Sequence, residues 1–273
     1  MRTVLVTGAT DGIGLATAKK LFHLGHKVLV HGRSEEKARF ATGQVITATT
    51  NPECSSKDAI PVWGDLSNMS EVVQLAHQVR KAAPELDVLL NNAGVYMNER
   101  VLTNDGFEMT FAVNHLAPFL LTHHLLPELK KRNHARVITV SSIAHSKGHL
   151  NLDNLQSEKH FDPYEAYAMS KLCNVLFTRA LAALTKNTPV TANCLHPGVI
   201  ATKLLHAGFN IQGEKTSDGA KTSVFLVTAP EAATTTGAYF VNSRETIASR
   251  LAQDDKLAVQ LWKKSEELLK NWL

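Results

Sequence analysis

The sequence predicts a single α/β domain built on a doubly wound parallel sheet of about seven strands. Three observations predict it. Short apolar, β-branched runs recur along the whole chain with helical patterns between them. These runs are apolar throughout rather than alternating, as strands buried on both faces of a parallel sheet are. No Ser/Gly-rich linker, internal repeat or low-complexity stretch divides the 273 residues, so a length that could hold one large domain or two small ones reads as one.

The elements follow in order. "TVLVTG" (3–8) is the first strand, and the turn "TGATDGIG" (7–14) opens a helix, "LATAKKLFHLG", that ends at Gly25. "KVLVHG" (27–32) is the second strand, after which Ser34 caps a helix begun by Glu35 and Glu36. Residues 41–59, rich in Thr, Ser, Asn and Asp, read as a long connection to the third strand, "IPVWGD" (60–65). "LDVLLNNAG" (86–94), "RVITVSS" (136–142), "PVTANCLHPG" (189–198) and "GAYFV" (237–241) complete the sheet. Residues 201–222, with Gly208, Gly213 and Gly219 as hinges, follow the sixth strand and are expected to form a substrate lid, because ligands of open α/β sheets sit outside the carboxyl ends of the strands.

The final stretch, 255–273, is an amphipathic helix. Its stripe holds Leu257, Leu261, Trp262, Ser265, Leu268, Leu269 and Trp272, flanked by Lys263, Lys264 and Lys270. The pattern leaves three occupants open: the domain itself, a subunit interface, or peripheral membrane contact.

Composition narrows the function classes. With 44% hydrophobic and 20% charged residues, the chain reads as a soluble globular protein without a transmembrane helix. The opening "MRTVLVTGAT" enters a β-like run at once, leaving no room for a signal peptide, so a cytoplasmic protein is expected. Cys54, Cys173 and Cys194 are scattered without paired ligand spacing, which fits a reducing compartment and no metal. A net charge of +4 is small, and the densest basic patch, "LKKRNHAR" (129–136), reads as a solvated helix end rather than a nucleic-acid surface.

The glycine turn points to a nucleotide. Gly8, Gly12 and Gly14 are spaced G-x3-G-x-G, which differs from the general G-x-G-x-x-G fingerprint but shares its physics. Glycine lets a pyrophosphate approach the backbone, and the helix N-terminus offers unpaired N–H groups and a positive dipole end. At the end of the second strand an Asp or Glu would bind a ribose 2′-hydroxyl. Here Gly32 stands at that point, followed by Arg33 and Ser34. A guanidinium suits a 2′-phosphate, so NADP(H) is favoured over NAD(H).

A second constellation points to proton transfer. In "YEAYAMSK", Tyr167 and Lys171 are four residues apart and share a helix face, whereas Tyr164 lies two turns from the lysine. A phenol with an ordinary pKa of about 10 exchanges protons poorly at neutral pH unless a nearby cation favours its phenolate. Ser141 and Ser142, at the end of the fifth strand, offer a hydroxyl. His145, His149 and His160 lie between Ser142 and Tyr167 and read as loop or pocket residues, since no nucleophile elbow accompanies them.

Taken together, "TGATDGIG", "GDL" (64–66), "NNAG" (91–94), "FAVNHLAPF" (111–119), "VSS" (140–142), "YAMSK" (167–171) and "HPG" (196–198) make the chain resemble the short-chain dehydrogenase/reductase family over nearly its full length. "VSSIAH", "LQSEKHF" and "SKLCNVLFTRAL" resemble its retinol-dehydrogenase-like branch. The resemblance implies a Rossmann-type sheet of order 3-2-1-4-5-6-7 and four catalytic residues. Tyr167 would exchange the substrate proton, Lys171 would depress its pKa and bind the nicotinamide ribose, and Ser142 would hydrogen-bond the reacting oxygen. Asn114 would hold a relay water, and Ser141 would stand beside the nicotinamide. Thr10, Asp11 and Ile13 would join the three glycines around the pyrophosphate, with Asp65 and Leu66 bordering adenine. Asn91, Ala93 and Gly94 would line the adenosine-ribose side; Pro197, Gly198, Ile200 and Thr202 would orient the nicotinamide.

The implied partners are a hydrophobic substrate (a retinoid, steroid, prenyl or other lipophilic aldehyde, ketone or alcohol) and, as in many relatives, further copies in a homodimer or homotetramer. The 25-residue gap from Ser142 to Tyr167 reads as an enlarged substrate loop. The alternative from another class is a regulatory protein that binds NADP(H) as a redox sensor without catalysis.

Overall fold

The apolar runs form strands, and the first seven pair in parallel. In the computed structural model, which describes residues 1–209 and 212–273, the strands are β1 (Thr3–Val6), β2 (Lys27–Gly32), β3 (Ala59–Trp63), β4 (Val88–Asn91), β5 (Ala135–Val140), β6 (Val190–His196), β7 (Tyr239–Val241) and β8 (Arg244–Thr246). Their order is β3-β2-β1-β4-β5-β6-β7-β8. The direction of winding reverses between β1 and β4, where Val4 pairs with Val88 and Leu5 with Leu89. Ligands bind at such a reversal in open α/β sheets.

The eighth strand exceeds the expected seven. β8 runs antiparallel to β7 across a turn in which Asn242 and Ser243 have φ of 50° and 60°, the left-handed pair that two-residue hairpins require. Its three residues are all exposed, so it carries none of the apolar signal that marks a buried strand.

The helices are α1 (Gly12–His23), α2 (Glu35–Thr47), α3 (Met69–Ala82), α4 (Met109–Phe111), α5 (Ala117–Leu129), α6 (Pro163–Leu184), α7 (Lys203–Gly208), α8 (Thr216–Thr228) and α9 (Asp255–Leu269). α2 reaches further than expected, taking up the first residues of the 41–59 connection. Ala41, Thr42 and Val45 are buried there, and the Thr42 hydroxyl donates to the Ala38 carbonyl at 2.8 Å, so polar residues that suggested a loop serve the helix instead. The lid is correspondingly shorter. α8 begins at Thr216 and buries Gly219, Ala220 and Thr222, leaving α7 and its flanks over the cleft; residues 210–211 of the expected lid lie outside the described residues.

Each face of the sheet has its own core. Val4, Val6, Leu21, Val30, Val45 and Leu226 lie in the core beneath α1, α2 and α8. Leu75, Phe119, Leu125, Leu176 and Leu261 lie in the opposite core under α3, α5, α6 and α9. The α9 stripe faces this second core: Trp262 stacks on Phe177 at 5.8 Å with 2° between the ring planes and lies 4.6 Å from Phe119. Leu261 and Leu269 are buried. Of the three occupants the sequence leaves open, the domain itself takes the stripe. Among the described residues, no helix is long and apolar enough to cross a membrane.

Candidate active site

The carboxyl ends of β1, β2, β4, β5 and β6 border one cleft of about 810 Å³, within the size range of small-molecule sites. At its nucleotide end, Gly8 has a φ of +63°, and a Cβ there would stand 2.9 Å from the Ala93 Cα. A Cβ on Gly14 would fall 2.2 Å from the Gly8 carbonyl oxygen and 2.5 Å from the Asn92 side-chain nitrogen. The glycines therefore let the first turn pack directly on "NNAG". Hydrogen bonds lock that packing. Asn92 Nδ2 donates to the Thr7 carbonyl at 2.8 Å, and the Thr7 hydroxyl accepts from the amides of Asn92 (2.9 Å) and Ala93 (3.1 Å).

The N-terminus of α1 opens into the cleft. Thr10, Asp11, Gly12 and Ile13 line it with Gly8 and Gly14. Asp11 accepts from the Gly12 amide at 2.7 Å and pairs with Lys203 of α7 at 2.5 Å, joining the glycine turn to α7. The lysine hydrogen bond lowers the Asp11 pKa. Such a helix N-terminus is a ready anion site, so the residues fit a dinucleotide.

At the adenosine end, Arg33, Lys37, Asp65 and Leu66 line the cleft. Arg33 Nε lies 3.9 Å from Asp65, with the guanidinium side chain 68% exposed and open to a further anion. Ser34 stands apart: its hydroxyl caps α2, accepting from the Lys37 amide at 3.4 Å. Asn91 is likewise absent from the lining; it is buried and donates to Thr122 Oγ1 at 3.2 Å. Asn92 faces the nucleotide turn instead.

At the reactive end, α6 presents Tyr167 and Lys171, both buried. Lys171 Nζ donates to the Val140 carbonyl at 3.2 Å and lies 5.5 Å from the centroid of the Tyr167 ring. Burial brings the Lys171 pKa down to about 8. Burial also pushes the Tyr167 phenol up to about 12, against a smaller pull from the Ser142 hydroxyl. Removing a phenolate from water is costly, so burial favours the neutral phenol.

The two serines divide the work. Ser141 is buried and its hydroxyl donates to the Lys171 carbonyl at 2.7 Å, tying β5 to α6. Ser142 starts the single-turn helix Ile143–Lys147, accepting from the Ala144 amide at 3.2 Å, and it borders the cleft beside Tyr167. His145 braces this turn. Its Nε2 accepts from the Ser249 amide at 3.1 Å, so its Nδ1–H donates to the Ser142 carbonyl, at 2.7 Å.

Asn114 lies in a π-helical turn, Ala112–Leu116, between α4 and α5; such turns recur at functional sites. Both polar atoms of its side chain are bonded: Oδ1 accepts from the Val95 amide (2.8 Å), and Nδ2 donates to the Val95 carbonyl (3.0 Å) and Ser170 Oγ (3.0 Å). The amide thus clamps the segment after "NNAG". Gly94 lies close by, where a Cβ would be 3.3 Å from both Asn114 Oδ1 and Lys171 Nζ. Ala93, Gly94, Pro197, Gly198, Ile200 and Thr202 complete the lining.

Sequence reasoning passed over three contributors. Tyr96 and Phe209 enclose Tyr167, their rings 5.5 and 6.2 Å from its ring and 5.4 Å from each other; Phe209 falls within the 201–222 stretch, but nothing local signalled Tyr96. His31 lies under the nucleotide turn and lines the cleft. Among the described residues, no group of three His, Cys, Asp or Glu side chains could hold a metal ion.

Comparison with known proteins identifies the family. The profile of the short chain dehydrogenase family matches residues 2–210. Human retinol dehydrogenase 14 is 37% identical over 98% of this chain and 86% of its own length. Human polyprenol dehydrogenase is 38% identical over 98% of this chain and 84% of its own. An uncharacterised protein from Mycobacterium Paratuberculosis superposes with a TM-score of 0.81 at 31% identity, covering 99% of this chain and 94% of that one. A 3-ketoacyl-(acyl-carrier-protein) reductase from Brucella melitensis, solved with NADH, shares the fold at a TM-score of 0.69 and 23% identity, over 88% of this chain and 95% of that one. The chain belongs to the short-chain dehydrogenase family, in its retinol-dehydrogenase-like branch. It is an oxidoreductase acting on alcohol and carbonyl groups.

Proposed function

We propose that the protein interconverts a carbonyl and an alcohol on a hydrophobic substrate, using NADP(H). The observation that carries this reading is the convergence of Ser142, Tyr167 and Lys171 at one end of a cleft whose other end is bounded by Arg33 and Lys37. The nicotinamide cofactor, when bound, supplies the hydride. Gly8, Gly12, Ile13 and Gly14 would hold its pyrophosphate at the α1 N-terminus. Arg33 and Lys37 supply positive charge for a 2′-phosphate, which a guanidinium meets through paired hydrogen bonds, and Gly32 puts no carboxylate at the end of β2.

The protein's own part is protonic and positional. In reduction the substrate oxygen gains charge as its carbonyl carbon is converted to the alcohol carbon. The Ser142 hydroxyl donates a hydrogen bond to that oxygen, and the Tyr167 phenol transfers its proton there. Lys171 then stands one turn away as the cation that stabilises the phenolate until a proton returns. In oxidation the same groups work in reverse. Tyr96 and Phe209 shield the phenol from water and present apolar walls to the substrate; the names of the retinol and polyprenol relatives support a lipophilic one.

The test is NADPH oxidation followed optically across lipophilic aldehydes, ketones and quinones. Turnover by the wild type and its loss in Tyr167→Phe, with nucleotide binding retained, is the expected result. A Tyr167→Phe protein that turns over like the wild type sinks the mechanism. Arg33→Ala should weaken NADPH binding far more than NADH binding, and equal effects on both overturn the choice of cofactor.

A further inference from the structure

His31 is a histidine at the end of a central strand, 2% exposed, with both ring nitrogens engaged. The Gly8 amide donates to its Nδ1 at 3.0 Å. Nδ1 is therefore the unprotonated nitrogen, and Nε2–H donates to the Gly64 carbonyl at 3.0 Å. Backbone bonds flank the ring: the Ala9 amide donates to the His31 carbonyl at 2.9 Å, and the Gly64 amide to the Gly32 carbonyl at 3.2 Å. Gly8 heads the phosphate turn, and Gly64 immediately precedes Asp65 and Leu66 at the adenosine end. One imidazole thus spans the two loops that flank the nucleotide half of the cleft.

The geometry explains why an imidazole is used. Gly8 turns into the left-handed region with a φ of +63°, so its amide leaves the sheet ladder and needs an acceptor from outside it. Gly64 lies just beyond the end of β3, and its carbonyl needs a donor. A rigid ring with an acceptor on one side and a donor on the other meets both demands in the neutral state. Burial keeps the ring neutral, bringing its pKa down to about 4.

We infer that His31 is a positioning residue for the cofactor: it couples the phosphate turn to the adenosine-side loop, so that nucleotide affinity depends on both of its hydrogen bonds. This rests on the nucleotide reading above. His31→Phe keeps the ring's bulk and loses both bonds. His31→Asn keeps an acceptor near Nδ1 for Gly8, and His31→Gln keeps a donor near Nε2 for Gly64.

The experiment measures NADPH binding by calorimetry and, separately, kcat at saturating NADPH. His31→Phe should raise the NADPH Kd tenfold or more while kcat at saturation stays within about twofold, and the Asn and Gln variants should each recover part of the affinity. Nitrogen NMR of the wild type should find the Nε2–H tautomer at His31 before and after NADPH is added. His31→Phe binding NADPH as tightly as the wild type, with only its thermal midpoint lowered, overturns the inference and leaves a structural histidine. If His31→Phe does not fold, wild-type affinity in both the Asn and Gln variants overturns it equally. A wild type that binds neither NADPH nor NADH instead overturns the nucleotide reading itself.

Discussion

Tyr167 and Lys171 lie one helical turn apart, the lysine nitrogen 5.5 Å from the phenol ring centroid, and burial drives their proton affinities in opposite senses. The phenol is pushed up to about 12 and the lysine brought down to about 8. Both changes hold the pair nearer neutrality than water would. The site therefore holds a destabilising charge, that of the lysine.

That cost has a pH signature. Lys171 has a folded pKa below its unfolded one, so its penalty is full below about pH 8 and is relieved as pH rises from 8 toward 10.5. Every tenfold loss of proton affinity on folding is worth about 1.4 kcal/mol, giving a penalty of roughly 3 kcal/mol. Lys171→Met should abolish turnover yet raise unfolding stability by up to about 3 kcal/mol at pH 7, with a smaller gain at pH 9.5. Urea denaturation at the two pH values checks this; a variant less stable than wild type at pH 7 contradicts it. Tyr167 acts in the opposite sense, its contribution being lost only as pH rises from 10 toward 12.

α7 packs on an aromatic ring through a residue without a side chain. A Cβ on Gly208 would stand 2.8 to 2.9 Å from three ring atoms of Tyr96, closer than carbon atoms approach without displacement. Gly208→Ala should push α7 and Phe209 away from Tyr167, lowering kcat/KM for lipophilic substrates about tenfold, or about 1.4 kcal/mol. NADPH affinity should fall less, since Lys203, the α7 residue that meets Asp11, stands at the other end of that helix from Gly208. Steady-state kinetics with a bulky and a small aldehyde separate the effects: an equal loss with both, or none, counts against the lid.

What could be read in the sequence was local. Tyr167 and Lys171 were legible because four residues along a helix make one turn, and the glycine turn because its spacing lies within one loop. The strand order was implied by a resemblance resting on several motifs in sequence. What escaped depends on partners far along the chain. Asn91 and Asn92 are neighbours, yet only the distant Thr7 and Thr122 decide which of them meets the nucleotide turn. His31 is one more residue of an apolar strand until Gly8 and Gly64 are seen on either side of it. The raised pKa of the Tyr167 phenol comes from tertiary burial, which the i, i+4 spacing does not report.

Several buried histidines predict acid lability. Burial lowers His31 and His196 to about 4 and His115 to about 3. Each is neutral in the folded chain and takes a proton first in the unfolded one. Their stabilisation is present above the unfolded value near 6.5 and is lost as pH falls toward the folded values. Stability should decline by several kcal/mol in all between about pH 6.5 and 4, at constant ionic strength, by the same linkage. Urea midpoints taken at half-unit steps test this, and a flat profile over that range would rule it out.

α9 supplies the last prediction, because its apolar stripe also suits a membrane surface. Trp262 stacks on Phe177 and meets Phe119, while Ser265 receives a hydrogen bond from His115 at 2.9 Å. Ser265 Oγ itself donates to the Leu261 carbonyl at 2.9 Å, so the His115 ring must be the donor. His115 is the residue after Asn114 in the π-helical turn, so α9 braces the element that clamps Val95. Trp262 is partly buried, and truncation should cost less than the 3 to 5 kcal/mol of a fully buried aromatic, about 2 to 3 kcal/mol. Trp262→Ala should therefore lower the urea midpoint and also reduce kcat, through the His115 contact. If α9 served a membrane instead, the same variant would leave stability in vesicle-free buffer unchanged and weaken only binding to lipid vesicles.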